Sequence, residues 1–346
     1  CDAVAPRKET MMFKFKRRRR VGVAAAIALS VTLVAAGCAN SGDAGAGSGE
    51  GDAANLTITM LPKNLGNPYF DTSTKGAKAA TEEFGGKFEQ VGPTEASPTA
   101  QVQYIQTAAQ QGVGGLIVSA NDPAALCDAL ADARSAGVKV VTFDSDTNPE
   151  CRDLFVNQAT AEGIAKVQVD LITEQIGSKG KIAILSSTPN ATNQNAWIEI
   201  MKEELKAYPE VELVEVAYGG DDDQSAFDKT AALLQTYPDL AGIVSPTTVG
   251  IAAAGRYLST SEYKGKVALT GLGTPNQMRE YVQDGVVTAF ALWNPADLGY
   301  LSAFAADALI TGEITGAEGD TFKAGKLGAF TVGADKTVLL GDPYVF

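Results

Sequence analysis

The sequence predicts an α/β protein of two lobes, each a doubly wound parallel sheet, and three observations carry that prediction. From residue 56 onward, short apolar runs alternate with longer helical stretches about every thirty residues, the rhythm of a parallel sheet wound by helices. The rhythm breaks at Thr147-Asn148-Pro149 and then resumes, as it would where a chain leaves one lobe for another. Just before the break, residues 139–146 read Lys-Val-Val-Thr-Phe-Asp-Ser-Asp, a buried strand that delivers Asp144 and Asp146 to its carboxyl end. Open α/β sheets bind their ligands there.

The first lobe is assigned residues 55–147 and 294–326, the second 148–293 and 327–346. In the first, strand 56–61 leads through a loop with Gly66 and Pro68 to a helix that Asp71 caps and Gly85-Gly86 end. Strand 88–91, helix 97–111, strand 116–119, a helix opened by Asp122-Pro123 and the strand from Lys139 follow. In the second lobe, helix 161–176 precedes strand 181–185, loop 186–194, helix 196–208 and strand 212–217. The acidic loop 221–223 opens a helix to residue 236, and strand 242–244 ends at Pro246-Thr247-Thr248 before an alanine-rich helix. Strand 267–270, helix 277–284 and strand 287–292 then reach Trp293-Asn294-Pro295, where the chain crosses back. Helix 297–310 returns to the first lobe, and tail strands 328–332 and 337–340 finish in the second. Two lobes joined by several crossings form a clamshell with one cleft, suited to a small ligand and to hinge closure.

The front end has a different character. Residues 1–37 read as a signal segment: Met11 and Met12 precede Lys14, Lys16 and Arg17 to Arg20, and residues 21–37 carry no charge. Val34-Ala35-Ala36-Gly37-Cys38 resembles the lipobox of bacterial lipoproteins, whose cysteine becomes the lipid-bearing N-terminus. The alternative is an uncleaved anchor, for which seventeen apolar residues are short. Residues 38–54 are a lipid-anchored, flexible Gly/Ala/Ser tether, which places the folded part outside the cell on the outer face of the cytoplasmic membrane.

Composition narrows the function. With 45% apolar and 20% charged residues, the 346-residue chain is a globular protein. It has no histidine, which removes histidine-dependent hydrolases, histidine-ligated zinc and histidine acid–base chemistry. The signal segment holds 8 of the 28 Lys+Arg and 2 of the 41 Asp+Glu, so its removal leaves 20 against 39, a net charge of −19. No basic patch remains for nucleic acid. Export allows Cys127 and Cys151 to pair, closing a loop of roughly two dozen residues for about 3 kcal/mol. Two buried free thiols are the alternative.

The strand ends offer polar and flat side chains together. Lys63, Asn67, Tyr69, Phe70, Asn121 and Asp144 come from the first lobe, and Asn193, Gln194, Thr247 and Thr248 from the second. Trp293 and Asn294 sit at the crossing. Amides and carboxylates bridge neighbouring hydroxyls while aromatic faces cover the apolar side of a sugar ring, and no GxxxxGK[ST] cradle for phosphate occurs. Each group also has a plainer reading: Tyr69 and Phe70 as core, Trp293 as a hinge staple, Asn193 and Gln194 as helix caps. Glycoside hydrolysis by Asp144 and Asp146 is the enzymatic alternative. It needs an acid and a base on opposite sides of one bond, and two carboxyls two residues apart on one extended strand are read as badly placed for that.

On these residues the chain resembles the ribose-binding group of type I periplasmic binding proteins, over 56–346. Its loop Leu65-Gly66-Asn67-Pro68-Tyr69-Phe70 is similar to that group's Asn-Pro-Phe-Phe loop, and Asp144 to its sugar-binding strand-end aspartate. Rhamnose-binding proteins are the most similar branch, through Thr192–Asn195, Pro246–Gly250, Thr270–Gly273 and Trp293–Tyr300. The related autoinducer-binding proteins share Lys63, Asp144, Gln194 and Pro246 and the cysteine pair. Asn193 and Thr248, however, replace an aspartate and an alanine of their set. The resemblance implies a monomeric, lipid-anchored receptor that binds rhamnose or a similar neutral sugar, passes it to an ABC permease, and uses no cofactor or metal. An autoinducer receptor is the rival binder. A repressor of the same fold is set aside by the signal segment and the missing helix-turn-helix.

Overall fold

The computed structural model describes residues 55–346; the signal segment, Cys38 and the tether lie outside the described residues. The chain opens with β1 (Thr57–Leu61), α1 (Pro68–Glu83), β2 (Lys87–Gln90), α2 (Pro98–Gln111), β3 (Gly115–Val118), α3 (Cys127–Ser135), β4 (Lys139–Phe143) and β5 (Leu154–Asn157). It continues with α4 (Ala161–Gln175), β6 (Gly180–Ser186), α5 (Thr192–Glu204), β7 (Val211–Tyr218), α6 (Asp223–Thr236), β8 (Leu240–Ser245), α7 (Thr248–Thr260), β9 (Ala268–Gly271), α8 (Pro275–Gln283) and β10 (Ala291–Leu292). Last come α9 (Pro295–Thr311), β11 (Thr321–Lys323), β12 (Ala329–Thr331), β13 (Thr337–Leu339) and β14 (Tyr344–Val345).

Two parallel sheets result. One has the order β13-β5-β4-β3-β1-β2, the other β7-β6-β8-β9. Their central strands are buried on both faces, as the Gly-Leu-Ile-Val of β3 requires. This is the two-lobed doubly wound α/β architecture that the sequence predicts.

Several assignments along the chain are corrected. The chain does not leave the first sheet after Asp146. β5 pairs with β4 in parallel, Val141 opposite Leu154, and the crossing falls between Asn157 and Ala161. Four residues behind a single 3-10 turn offer too little length and alternation to register as a strand. The tail strand β13 pairs with β5, Thr337 opposite Phe155, so it closes the first sheet rather than the second. β12 forms a hairpin with β11 beside α9. Only the last residues return: β14 pairs antiparallel with β10, and Phe346 stacks on Phe290 at 5.3 Å. The strand expected over 287–292 is reduced to β10. Asn67, not Asp71, caps α1: its side-chain oxygen accepts from the Tyr69 amide at 3.0 Å, with Pro68 in the first turn. α5 begins at Thr192, which puts Asn193 and Gln194 in its first turn.

The start of α1 carries Tyr69 and Phe70, and α9 starts directly after Trp293, so their crossing sets the width of the wall between them. That crossing is backbone to backbone. A Cβ on Gly76 would sit 1.8 Å from the Ala296 carbonyl oxygen, and one on Gly299 would sit 1.9 Å from that of Ser73. Gly76→Ala is therefore expected to lower stability by about 1–3 kcal/mol, the cost of overpacking. It should read as a lower urea midpoint at constant slope. A wild-type midpoint would mean the helices separate at no cost.

Candidate functional site

Asp144 is the centre of the site. β4 ends at Phe143, and Asp144 takes a left-handed conformation (φ 61°), which aspartate tolerates better than most residues. The turn sends its carboxylate one way and that of Asp146 another. Asp144 accepts hydrogen bonds from the Tyr69 hydroxyl at 3.0 Å and the Ser119 hydroxyl at 2.7 Å. The ammonium of Lys63 stands 4.0 Å away. Asp146 instead binds the guanidinium of Arg152 through both oxygens, at 2.7 and 2.8 Å. The two carboxylates thus have different partners and do not face one bond.

Burial and the Asp144 charge raise the Tyr69 hydroxyl well above its ordinary pKa, so it remains a neutral donor. The Trp293 indole N–H donates to that same hydroxyl at 2.9 Å. The aromatic faces meet edge to face: Tyr69 with Trp293 at 6.0 Å, Trp293 with Trp197 at 6.0 Å, Tyr69 with Phe70 at 5.1 Å.

The second lobe supplies the opposite wall. Lys63 donates to the Asn193 side-chain oxygen at 3.1 Å, and the Asn193 amide donates to the Asp144 carbonyl at 3.2 Å. Gln194 is held from behind, its oxygen accepting from the Ser186 hydroxyl at 2.7 Å and the Ser187 amide at 2.9 Å. Pro246, Thr247 and Thr248 follow β8 at the start of α7. Together these groups line one cavity between the lobes.

Of the expected binding residues, Lys63, Asn67, Tyr69, Phe70, Asp144, Asn193, Gln194, Pro246, Thr247, Thr248 and Trp293 line this cavity. Asn121 and Asn294 do not. Asn121 is buried behind the wall, where its amide donates to the Lys63 carbonyl at 2.9 Å and so fixes the backbone under that lysine. Asn294 is exposed and caps α9, accepting from the Ala296 amide at 3.0 Å. Four lining residues escaped the sequence reading: Trp197, Asp221, Leu272 and Leu292. Trp197 sits mid-helix and looks like core, and the leucines come together only through the bridge between Leu272 and Ala291. Asp221 opens an acidic run that reads as solvated loop. Cys127 and Cys151 are joined as a disulfide, Cα atoms 5.0 Å apart, tying the start of α3 to the turn before Arg152.

Among the described residues no cluster of three metal-ligating side chains occurs. A family model described as a periplasmic binding protein domain matches residues 58–314. A sugar ABC transporter from Actinomyces odontolyticus is similar at 53% identity, covering 84% of this chain and 94% of that one, with a TM-score of 0.68. An ABC transporter solute binding protein from Clostridium phytofermentas, solved with bound L-rhamnose, is 38% identical over 85% and 96% of the two chains, with a TM-score of 0.82. LsrB from Clostridium saccharobutylicum in complex with AI-2 is 27% identical over 84% and 97%, with a TM-score of 0.79. With the fold, the interlobe cavity and the family match in agreement, the chain belongs to the periplasmic binding protein family, in its type I sugar-binding group.

Proposed function

We propose that the protein is the solute receptor of an ABC importer and that it captures L-rhamnose, or a close deoxy-sugar, between its lobes. The observation that carries this reading is the Asp144 carboxylate, already oriented by two hydroxyl donors and still open to ring hydroxyls, set against Asn193 and Gln194 of the other lobe. Trp197, Trp293, Leu272 and Leu292 give the cavity an apolar end suited to a methyl group. Rhamnose bound to the 38% identical relative supports the choice of sugar. Family membership supports an extracytoplasmic location; lipidation of Cys38, a monomeric state and delivery to a membrane permease complete the reading. The separate partners of Asp144 and Asp146 favour a binder over a glycosidase.

The test uses the chain beginning after Cys38. Trp197 and Trp293 are the chain's two tryptophans and both line the cavity, so intrinsic fluorescence reports on the site. Titration with L-rhamnose should shift that emission with micromolar or tighter affinity, and calorimetry should agree. Response to AI-2 alone would replace this reading with that of an autoinducer receptor. Turnover of any sugar tried would turn it into an enzyme.

A further inference from the structure

The three aspartates that follow β7 have three different fates. The Asp222 side chain caps α6, accepting from the Ser225 amide at 2.8 Å. Asp223 pairs with Arg256 on the outer surface. Asp221 alone turns into the interlobe cavity. It does so through consecutive left-handed residues, Gly220 (φ 70°) and Asp221 (φ 54°), a conformation that costs a non-glycine residue energy. The turn is pinned to β6 by Gly219 and Gly220, whose amides donate to the Ser186 and Ser187 carbonyls at 2.8 and 2.7 Å. These two serines also hold Gln194.

One oxygen of Asp221 accepts from the Thr247 hydroxyl at 2.6 Å; the other has no donor among the described residues. Thr247 caps no backbone group of α7, so its hydroxyl is given over to this carboxylate. Desolvation at the cavity wall raises the Asp221 pKa above its ordinary value, against the lowering by Lys63 and the Thr247 hydrogen bond, and Asp144 raises it further. Asp221 is half-buried at the cavity wall, and its second oxygen is available to a donor that arrives with the ligand.

We infer that Asp221 is a specificity-determining residue of the second lobe, which accepts a hydrogen bond from a ring hydroxyl on the side of the sugar opposite Asp144. The inference rests on the proposed sugar-binding function and deepens it. Two carboxylates from opposite lobes, with Lys63 4.0 Å from Asp144, select a ligand rich in hydroxyl donors at both ends. An anionic sugar acid gains no partner at Asp221 and is repelled by it.

The test compares wild type and Asp221→Asn by tryptophan fluorescence against L-rhamnose, L-lyxose, D-ribose and the monodeoxy derivatives of rhamnose. Asp221→Asn should bind rhamnose about 10- to 100-fold more weakly, the range for loss of a hydrogen bond to a charged group. Removal of one particular hydroxyl should cost wild type affinity but cost Asp221→Asn little, a coupling that a purely structural role does not produce. If Asp221→Asn melts early, Asp221→Ser read against the same deoxy sugars decides the matter, since its loss must again fall on one hydroxyl. Binding by Asp221→Asn within twofold of wild type overturns the inference and leaves the sugar reading intact. Wild-type response to a different neutral sugar, with the same loss in the variant, overturns rhamnose and leaves Asp221 in place. Silence towards every neutral sugar overturns both.

Discussion

Replacing Asp144 by asparagine is expected to weaken sugar binding about 100-fold or more, a loss of roughly 3 kcal/mol, and to lower the melting temperature as well, because the buried Lys63 ammonium loses its anionic neighbour. The carboxylate collects the Tyr69 and Ser119 hydroxyls and faces the Lys63 ammonium, all of them buried. Asparagine keeps the shape and accepts the left-handed backbone. It presents one acceptor in place of two, and an amide group where donors already converge. Lys63 then loses its anionic neighbour, so the ligand must enter a cleft whose cation has no charge partner. Asp144→Ala should cost more still, because alanine adds backbone strain at φ 61° to the lost acceptor. Calorimetric titration of both variants checks the order. Wild-type affinity in Asp144→Asn would remove Asp144 from the site.

How much of this was legible in the sequence depended on distance along the chain. Asp144, Lys63 and the loop from Asn67 to Phe70 were found because each sits where a clear apolar run ends, and strand ends are where ligands bind. The same rule misplaced Asn294. It lies next to the cavity residue Trp293, but its side chain satisfies the first amides of α9 and turns outward. Asn121 shows the converse: its position after β3 was right, yet its amide is spent on the Lys63 carbonyl. Residues contributed by a helix interior or a surface-looking acidic run, Trp197 and Asp221, had no local signal. The lobe boundary failed at β5 and β13 for a related reason. Each is short: β5 is specified as a strand by its place between β4 and β13, and β13 by β5, with Thr337 opposite Phe155, rather than by their own patterns.

That partnership leads to the largest expected effect on stability. Arg152 is almost fully buried, at 1% exposure, and it reaches three segments at once. Its guanidinium grips Asp146 with two bonds, donates to the Asp335 and Lys336 carbonyls at 2.9 and 3.3 Å, and lies 5.6 Å from the centre of the Phe155 ring. Asp335 and Lys336 are themselves left-handed (φ 51° and 54°) and lead directly into β13. Arg152→Leu should therefore destabilise by about 3–5 kcal/mol, since it leaves the largely buried Asp146 without its cation and two carbonyls without a donor. Hydrogen exchange should rise first at Thr337–Leu339, the strand whose entry the guanidinium holds. Removing the carboxylate as well, in Asp146→Leu with Arg152→Leu, should recover part of the loss, because the cost lies in the unpaired charge more than in the absent pair. Arg152→Lys should recover less than its charge suggests, for an ammonium cannot make the two-pronged contact and reach both carbonyls together. Equal stability of wild type and Arg152→Leu in urea would mean that β13 is held by its sheet pairing alone.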